Sequence, residues 1–267
     1  MPRNGSSRAL KTRDARLATG DELLVLVHDG EEEVLEALLA NPALGEPHVV
    51  LLLERKNLPG SVIEQIAQRR DWMHSYPVRL RVALHPRTPR LVALPLVRQL
   101  YLFDLVNACL QPAVPSELKR LAEEQILAKL AQLPLGQKLT LARRGPGRVV
   151  AALLAEGHAQ VAPLALENPY LTEAQLLKVL AQEELPEGVA AAIAQHRKWS
   201  LGYNVRLALV RHPGTPLARV LGFLPDLTLR DLSDLCALTT LPASLRQYLQ
   251  HEIAVRSRRR MRRAEPE

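Results

Sequence analysis

The chain has only two cysteines in 267 residues, too few to staple a secreted, loop-rich scaffold. Aromatic residues make up 3% of it, which argues against a base-stacking platform for single-stranded nucleic acid. No apolar run reaches the ~18 residues that a membrane span needs. The basic start, MPRNGSSRALKTR, leads into no signal-type apolar core. Catalytic signatures are missing too: there is no H-E-x-x-H, no phosphate-loop G-x-x-x-x-G-K-[ST], no G-x-S-x-G and no C-x-x-C. These absences predict a soluble protein of a reducing compartment, most simply cytoplasmic, with no cofactor and no metal, and more a binding protein than an enzyme.

What is present is a normal apolar fraction, 47%, sufficient for a packed core, and a net charge of +7. The charge is uneven. Arg3, Arg8, Lys11, Arg13 and Arg16 face only Asp14 at the start of the chain. Arg256, Arg258, Arg259, Arg260, Arg262 and Arg263 face only Glu265 and Glu267 at its end. The body between them is nearly neutral. The basic excess therefore reads first as two solvated ends, and second as arms for an anionic partner.

The chain repeats itself. Residues 41–118 align without a gap on residues 168–245 at an offset of 127, with 29 identities. Rare residues match: Trp72 with Trp199, Tyr76 with Tyr203, His85 with His212, Asp104 with Asp231 and Cys109 with Cys236. The match predicts two tandem copies, 21–129 and 136–256 (fading outward to pair Lys11 with Lys138), between a basic N-terminal segment, 1–20, and an Arg-rich tail, 257–267.

Within each copy the apolar spacing is helical, and strict alternation is scarce. Prolines recur as punctuation: Pro42, Pro59, Pro86, Pro89 and Pro115 align with Pro169, Pro186, Pro213, Pro216 and Pro242. Thr88–Pro89 and Thr215–Pro216 read as a capping residue followed by the first helical position. Reading from breaker to breaker predicts helices near 21–28, 31–40, 46–55, 60–70, 75–84, 89–98, 102–110 and 116–129, and eight more at 127 residues further on. The predicted fold is all-α: an α-solenoid of about sixteen short helices, built from two tandem copies of an eight-helix unit.

The segments VRLALVRHPGTPLARVLGFL (205–224) and VRLRVALHPRTPRLVALPL (78–96) resemble HEAT-like solenoids, and more narrowly the leucine-rich repeat variant. His85 and His212 stand where that variant has Asn before Pro; Asn41–Pro42 and Asn168–Pro169 supply the Asn form. The resemblance implies a solenoid that binds partners and implies no activity; some relatives in fold act on nucleic acid.

The candidate binding surface is Arg70, Trp72, Tyr76 and Arg79 with Arg197, Trp199, Tyr203 and Arg206. The aromatics lie i, i+4 with arginines close by, an arrangement that can stack a base or clamp an anion. The competing reading has each Trp filling a junction between helices. Cys109 and Cys236 read as small apolar residues, His85 and His212 as caps of a helix end, and Asp104 and Asp231 as N-caps. Gly145–Pro146–Gly147 among Arg143, Arg144 and Arg148 is a basic loop without the phosphate-loop pattern. The expected function is a scaffold that binds a protein or peptide partner on a concave surface. The alternative is a HEAT-like nucleic-acid binder using the Arg-rich surface and tail.

Overall fold

A computed structural model describes residues 4–186, 188–237 and 242–264, with side chains between Leu10 and Arg258. Every regular element among the described residues is helical. The chain divides into two compact units, Met1–Lys129 and Leu130–Glu267.

The first unit holds α1 (Asn4–Leu17), α2 (Asp21–Leu26), α3 (Glu32–Leu39), α4 (Glu46–Leu53), α5 (Gly60–Gln68), α6 (Arg70–Met73), α7 (Tyr76–Leu84), α8 (Arg90–Val97), α9 (Leu102–Leu110) and α10 (Ser116–Lys129). The second opens with a 3₁₀ turn, Leu130–Gln132. It continues with α11 (Leu135–Arg144), α12 (Gly147–Ala155), α13 (Ala162–Leu166), α14 (Glu173–Leu180), α15 (Val189–Gln195) and α16 (Tyr203–Arg211). It ends with α17 (Leu217–Phe223), α18 (Leu229–Cys236) and α19 (Ala243–Ala264), with 3₁₀ turns at Trp199–Leu201 and Leu224–Asp226.

The all-α class read from the sequence holds, and three helices come in addition to the sixteen expected. α1 and α11 are a matched pair. Among its described side chains α1 buries Ala15, and Ala18 just after it is buried too; such small residues give no large apolar stripe in the sequence. The extra α6 arises because Arg69 takes an extended conformation (φ −84, ψ 107) that stops α5 and restarts the chain for a single turn.

Helices this short are marginal alone and are held by burial. Leu35, Leu38, Leu52, Ile63 and Ile66 are completely enclosed in the first unit, and Leu153, Leu176, Ile193, Leu209 and Leu232 in the second. Packing partners are near neighbours in chain order: α1 lies on α3, α4 on α7, α7 on α8 and α9 on α10. In the second unit α12 lies on α14, α14 on α16 and α18 on α19.

The prolines stand one position earlier than the sequence suggests. Pro89 and Pro216 are themselves the residues flanking α8 and α17, and their carbonyls accept the first helical bonds, from Val92 and Arg219, each at 2.9 Å. Proline suits that position because its φ is preset and it has no N–H to satisfy. Thr88 is thereby freed from capping, and its hydroxyl donates to the Val82 carbonyl at 2.6 Å.

The N-terminal segment, read first as a solvated basic end, holds α1, which packs on α3. Asn41, 3% exposed, donates through Nδ2 to the carbonyls of Ala15 (2.9 Å) and Ala18 (2.8 Å). Its counterpart Asn168 does the same to Ala142 (2.9 Å) and Gly145 (3.3 Å) at the end of α11. Lys11 pairs with Asp29 and Glu31, as Lys138 pairs with Glu156. The glycines of the basic loop also serve packing. A Cβ on Gly147 would strike the Tyr170 carbonyl, and one on Gly145 would sit 2.5 Å from the Leu141 carbonyl.

Candidate partner-binding groove

The two tryptophans named as surface candidates are core residues. Trp72 is 8% and Trp199 6% exposed, and the Trp199 indole N–H donates to the Leu166 carbonyl at 2.8 Å. With so few aromatics, each large ring is used to fill a junction between short helices. The cations over the rings are Arg69 (4.5 Å from the Trp72 centroid) and Lys198 (4.1 Å from the Trp199 centroid). Arg70 and Arg197 are exposed.

Tyr76 and Tyr203 tie helix to helix. The Tyr76 hydroxyl donates to Asp104 at 2.5 Å and accepts the Tyr101 backbone N–H at 2.9 Å. Tyr203 likewise donates to Asp231 and accepts from the Thr228 N–H at 3.1 Å. Asp104 and Asp231 are thus third residues of their helices that receive a neighbour's phenol, and not N-caps. Thr228 is the N-cap, accepting the Asp231 N–H at 3.1 Å. Burial, then the bond to Asp104, pushes the Tyr76 phenol up to about 12. Bonds from Thr228 and then Tyr203 hold the Asp231 carboxyl below its usual range.

Arg206 is committed to the fold: it donates to the Ser200 carbonyl and to Asp226, each at 2.6 Å, beside the Phe223 ring. Arg79 is half-buried, 5.7 Å from the Tyr76 ring, and its Nε is buried with no partner. Asp226 has no acidic equivalent in the first copy, where Gln99 stands. Copy one instead adds Tyr101, which stacks on Tyr76 at 4.1 Å.

In the tail, Arg256 is also structural. It pairs with Glu252 at 2.7 Å and caps the Leu227 and Leu224 carbonyls at 2.9 and 2.8 Å. Arg258 is exposed on α19. The α19 backbone carries Arg259, Arg260, Arg262 and Arg263, whose side chains lie outside those described. Of the candidate surface residues, Trp72, Trp199, Tyr76, Tyr203 and Arg206 hold helices together within their units, as does Arg256 of the basic tail.

The thiols of Cys109 and Cys236 are half-buried and free. Burial pushes Cys109 up to about 12, an inert setting for a nucleophile. No group of three His, Cys, Asp or Glu able to hold a metal occurs among the described residues. No described helix is long and apolar enough to cross a membrane.

A groove that none of these residues foretold lies in the second unit. It measures about 630 Å³ and runs between α14, α16, α17 and the start of α19, lined by Leu180, Ala208, Val210, Leu217, Val220 and Leu245 with Gln182, Glu183, Arg211, His212, Thr215 and Ser244. The corresponding hollow of copy one shares the positions of Leu53, Lys56, Arg81, His85 and Pro86, and measures about 350 Å³.

The difference has a specific origin. In copy one, Arg81 pairs with Glu54 at 3.1 Å and Arg90 pairs with Glu117. At the offset of 127 these four residues become Ala208, Ala181, Leu217 and Ser244. Copy two has neither of these ion pairs between helices, and small or apolar side chains stand in their places. Leu217 is 58% exposed there, an apolar residue at a position where copy one carries a charge.

The histidines diverge with the groove. The His85 Nδ1 accepts the Arg87 N–H at 3.1 Å, which places its proton on Nε2, 2.8 Å from the Arg55 carbonyl. This bond reaches a neighbouring helix end and does not cap His85's own helix, as the sequence suggested. His212 Nδ1 accepts the Gly214 N–H at 3.1 Å in the same way. Its Nε2–H has no acceptor among the described residues. Burial lowers the His212 pKa, so the ring is neutral near pH 7. Thr215, 8% exposed, has a buried hydroxyl without a partner, where its counterpart Thr88 is bonded.

Comparing one copy with the other points to the groove: Ala181 and Ala208 are uncharged where the matched Glu54 and Arg81 are charged. That the two positions face each other is visible only in three dimensions. Comparisons with protein-family models, with curated proteins and with solved structures find no match to this chain.

Proposed function

We propose that this chain is a non-catalytic helical-repeat scaffold, of the α-solenoid kind that HEAT-like and leucine-rich repeat variant arrays exemplify, and that it binds a segment of a protein partner. The observation that carries the reading is the groove of the second unit, which lacks two inter-helix ion pairs present in its sister copy. An apolar trough on a rigid stack of short helices is the usual form of a peptide-binding site in repeat proteins. The near-neutral body and the arginines consumed by the fold (Arg206 and Arg256) weigh against the alternative, a nucleic-acid binder. That alternative rests on Arg258 and the arginine run along α19.

The test restores the closure of copy one in copy two. The variant A181E/A208R rebuilds the Glu54–Arg81 pair, and exposed pairs of this kind change stability by about 1 kcal/mol or less. A displayed library of random peptides selected on the full chain should yield apolar peptides that bind the parent and lose about tenfold or more in affinity on the variant. If no selected peptide distinguishes the two proteins, or if duplex DNA binds the folded body at low salt while peptides do not, the reading is wrong.

A further inference from the structure

We infer that the first unit carries a second recognition site, where Tyr76 of α7 reaches the start of α9. It takes the carboxylate of an Asp or Glu side chain of a partner protein at Arg79, with a neighbouring apolar side chain of the same partner laid on Tyr101. The site is built from residues of the first unit alone and does not depend on the groove of the second.

The sister copy shows which group is missing. There Arg206 donates to the Ser200 carbonyl and to the Asp226 carboxylate, each at 2.6 Å. At the offset of 127 the matched residues are Arg79, Met73 and Gln99. Arg79 bonds to neither of the other two among the described residues, and Gln99 has no charge to offer. The Arg79 Nε is buried without a partner, and the guanidinium rests 5.7 Å from the Tyr76 ring. In copy two the acid is received by an Nη group of the arginine. In copy one the Nη groups are left for an acceptor from outside, and a carboxylate is the group that the sister copy places there.

The same copy has gained an aromatic. Tyr101 stands where copy two has Thr228. It stacks on Tyr76 with centroids 4.1 Å apart and remains 65% exposed. Tyr76 is itself fixed by its hydroxyl, between Asp104 at 2.5 Å and the Tyr101 N–H at 2.9 Å. A cation without its acid thus lies next to a pair of rings that the fold already holds in place. An acidic residue beside an apolar one complements both, and little ordering of the site is needed to bind it.

A phosphate backbone fits this corner less well, because it needs a row of free cations. The other arginines of α7 and α8, Arg81 and Arg90, are paired with Glu54 and Glu117.

The experiment selects a displayed library of random peptides on the full chain. One class of binders should carry Asp or Glu beside a large apolar residue. These are synthesised with blocked termini, so that the side chain is the only carboxylate, and affinity is read by fluorescence anisotropy. Replacing the acid by its amide should cost about tenfold, and so should R79Q in the protein. Q99D, at an exposed position, supplies the acid of copy two and should weaken binding to a similar extent, while Q99N should leave it unchanged. Y101T should weaken the same peptides, and A181E/A208R should not. The Q99D and Q99N comparison remains decisive even if R79Q fails to fold. The inference is overturned if no acidic class emerges, if neither Q99D nor R79Q weakens it, or if Q99N weakens it as much as Q99D. Displacement of the peptides by a single-stranded oligonucleotide that binds more tightly also overturns it. Binders sensitive only to A181E/A208R would sink this site and support the groove. If no peptide is selected, both fall.

Discussion

Replacing Asn41 by Ala tests whether the N-terminal basic segment belongs to the folded unit. The side chain is 3% exposed and makes three hydrogen bonds. Nδ2 donates to Ala15 at 2.9 Å and to Ala18 at 2.8 Å, and Oδ1 accepts the Ala43 N–H at 2.8 Å. A typical intramolecular bond contributes about 1 kcal/mol net, and a buried group left unpaired costs about 1–3 kcal/mol. Ala15 is fully enclosed and Ala18 nearly so, so water does not readily replace the lost donor. The expected destabilisation of N41A is about 3–5 kcal/mol. Each unit holds one tryptophan, so a W199F background lets Trp72 fluorescence report the first unit alone. In urea, with a slope of about 2 kcal/mol/M for a domain of this size, the midpoint should fall by about 2 M with the slope unchanged. The matched N168A, read in W72F, should lose somewhat less, because its Gly145 bond is 3.3 Å. A shift under about 0.5 M in N41A would mean that α1 is not docked and that the segment is a solvated arm after all.

Two further outcomes follow from the same contacts. W199A should cost about 3–5 kcal/mol in urea unfolding, whereas R197A, on the exposed side, should stay within about 0.5 kcal/mol; equal effects would contradict the core placement of the ring. Tyr76, with its phenol raised to about 12, should ionise after exposed tyrosines when absorbance is followed with rising pH. Because the folded value lies above the unfolded 10.0, the stabilisation it provides is complete below pH 10 and lost between 10 and about 12. Y76F should remove that part of the alkaline loss.

Much of the local structure was legible because it depends on short-range chemistry. Helix positions followed from i, i+4 apolar spacing and from prolines, whose missing N–H favours helix starts and loops, Pro95 inside α8 being an exception among the described residues. The duplication was legible because rare residues recur at one offset. α1 was not, because the residues buried at its end are the alanines Ala15 and Ala18, which carry almost no pattern, and because Asn41 reaches it across 26 positions of chain. The tryptophan pair was left open between surface and core for a related reason, and the structure places it in the core. An aromatic beside an arginine looks alike in sequence whether the ring faces solvent or fills a junction, and only the neighbouring helix decides which.

What the sequence determined by itself is therefore the helical class, the twofold repetition and the residues that the copies share. Those features depend on periodicity and covalent order. What only the tertiary structure decided is which matched differences matter. Glu54 and Arg81 lie 27 positions apart, and their replacement by alanines would be two unremarkable substitutions in a linear comparison. Folding brings them within 3.1 Å in one copy, and their absence opens a groove in the other. A pocket is a relation between helices, and no single segment encodes it.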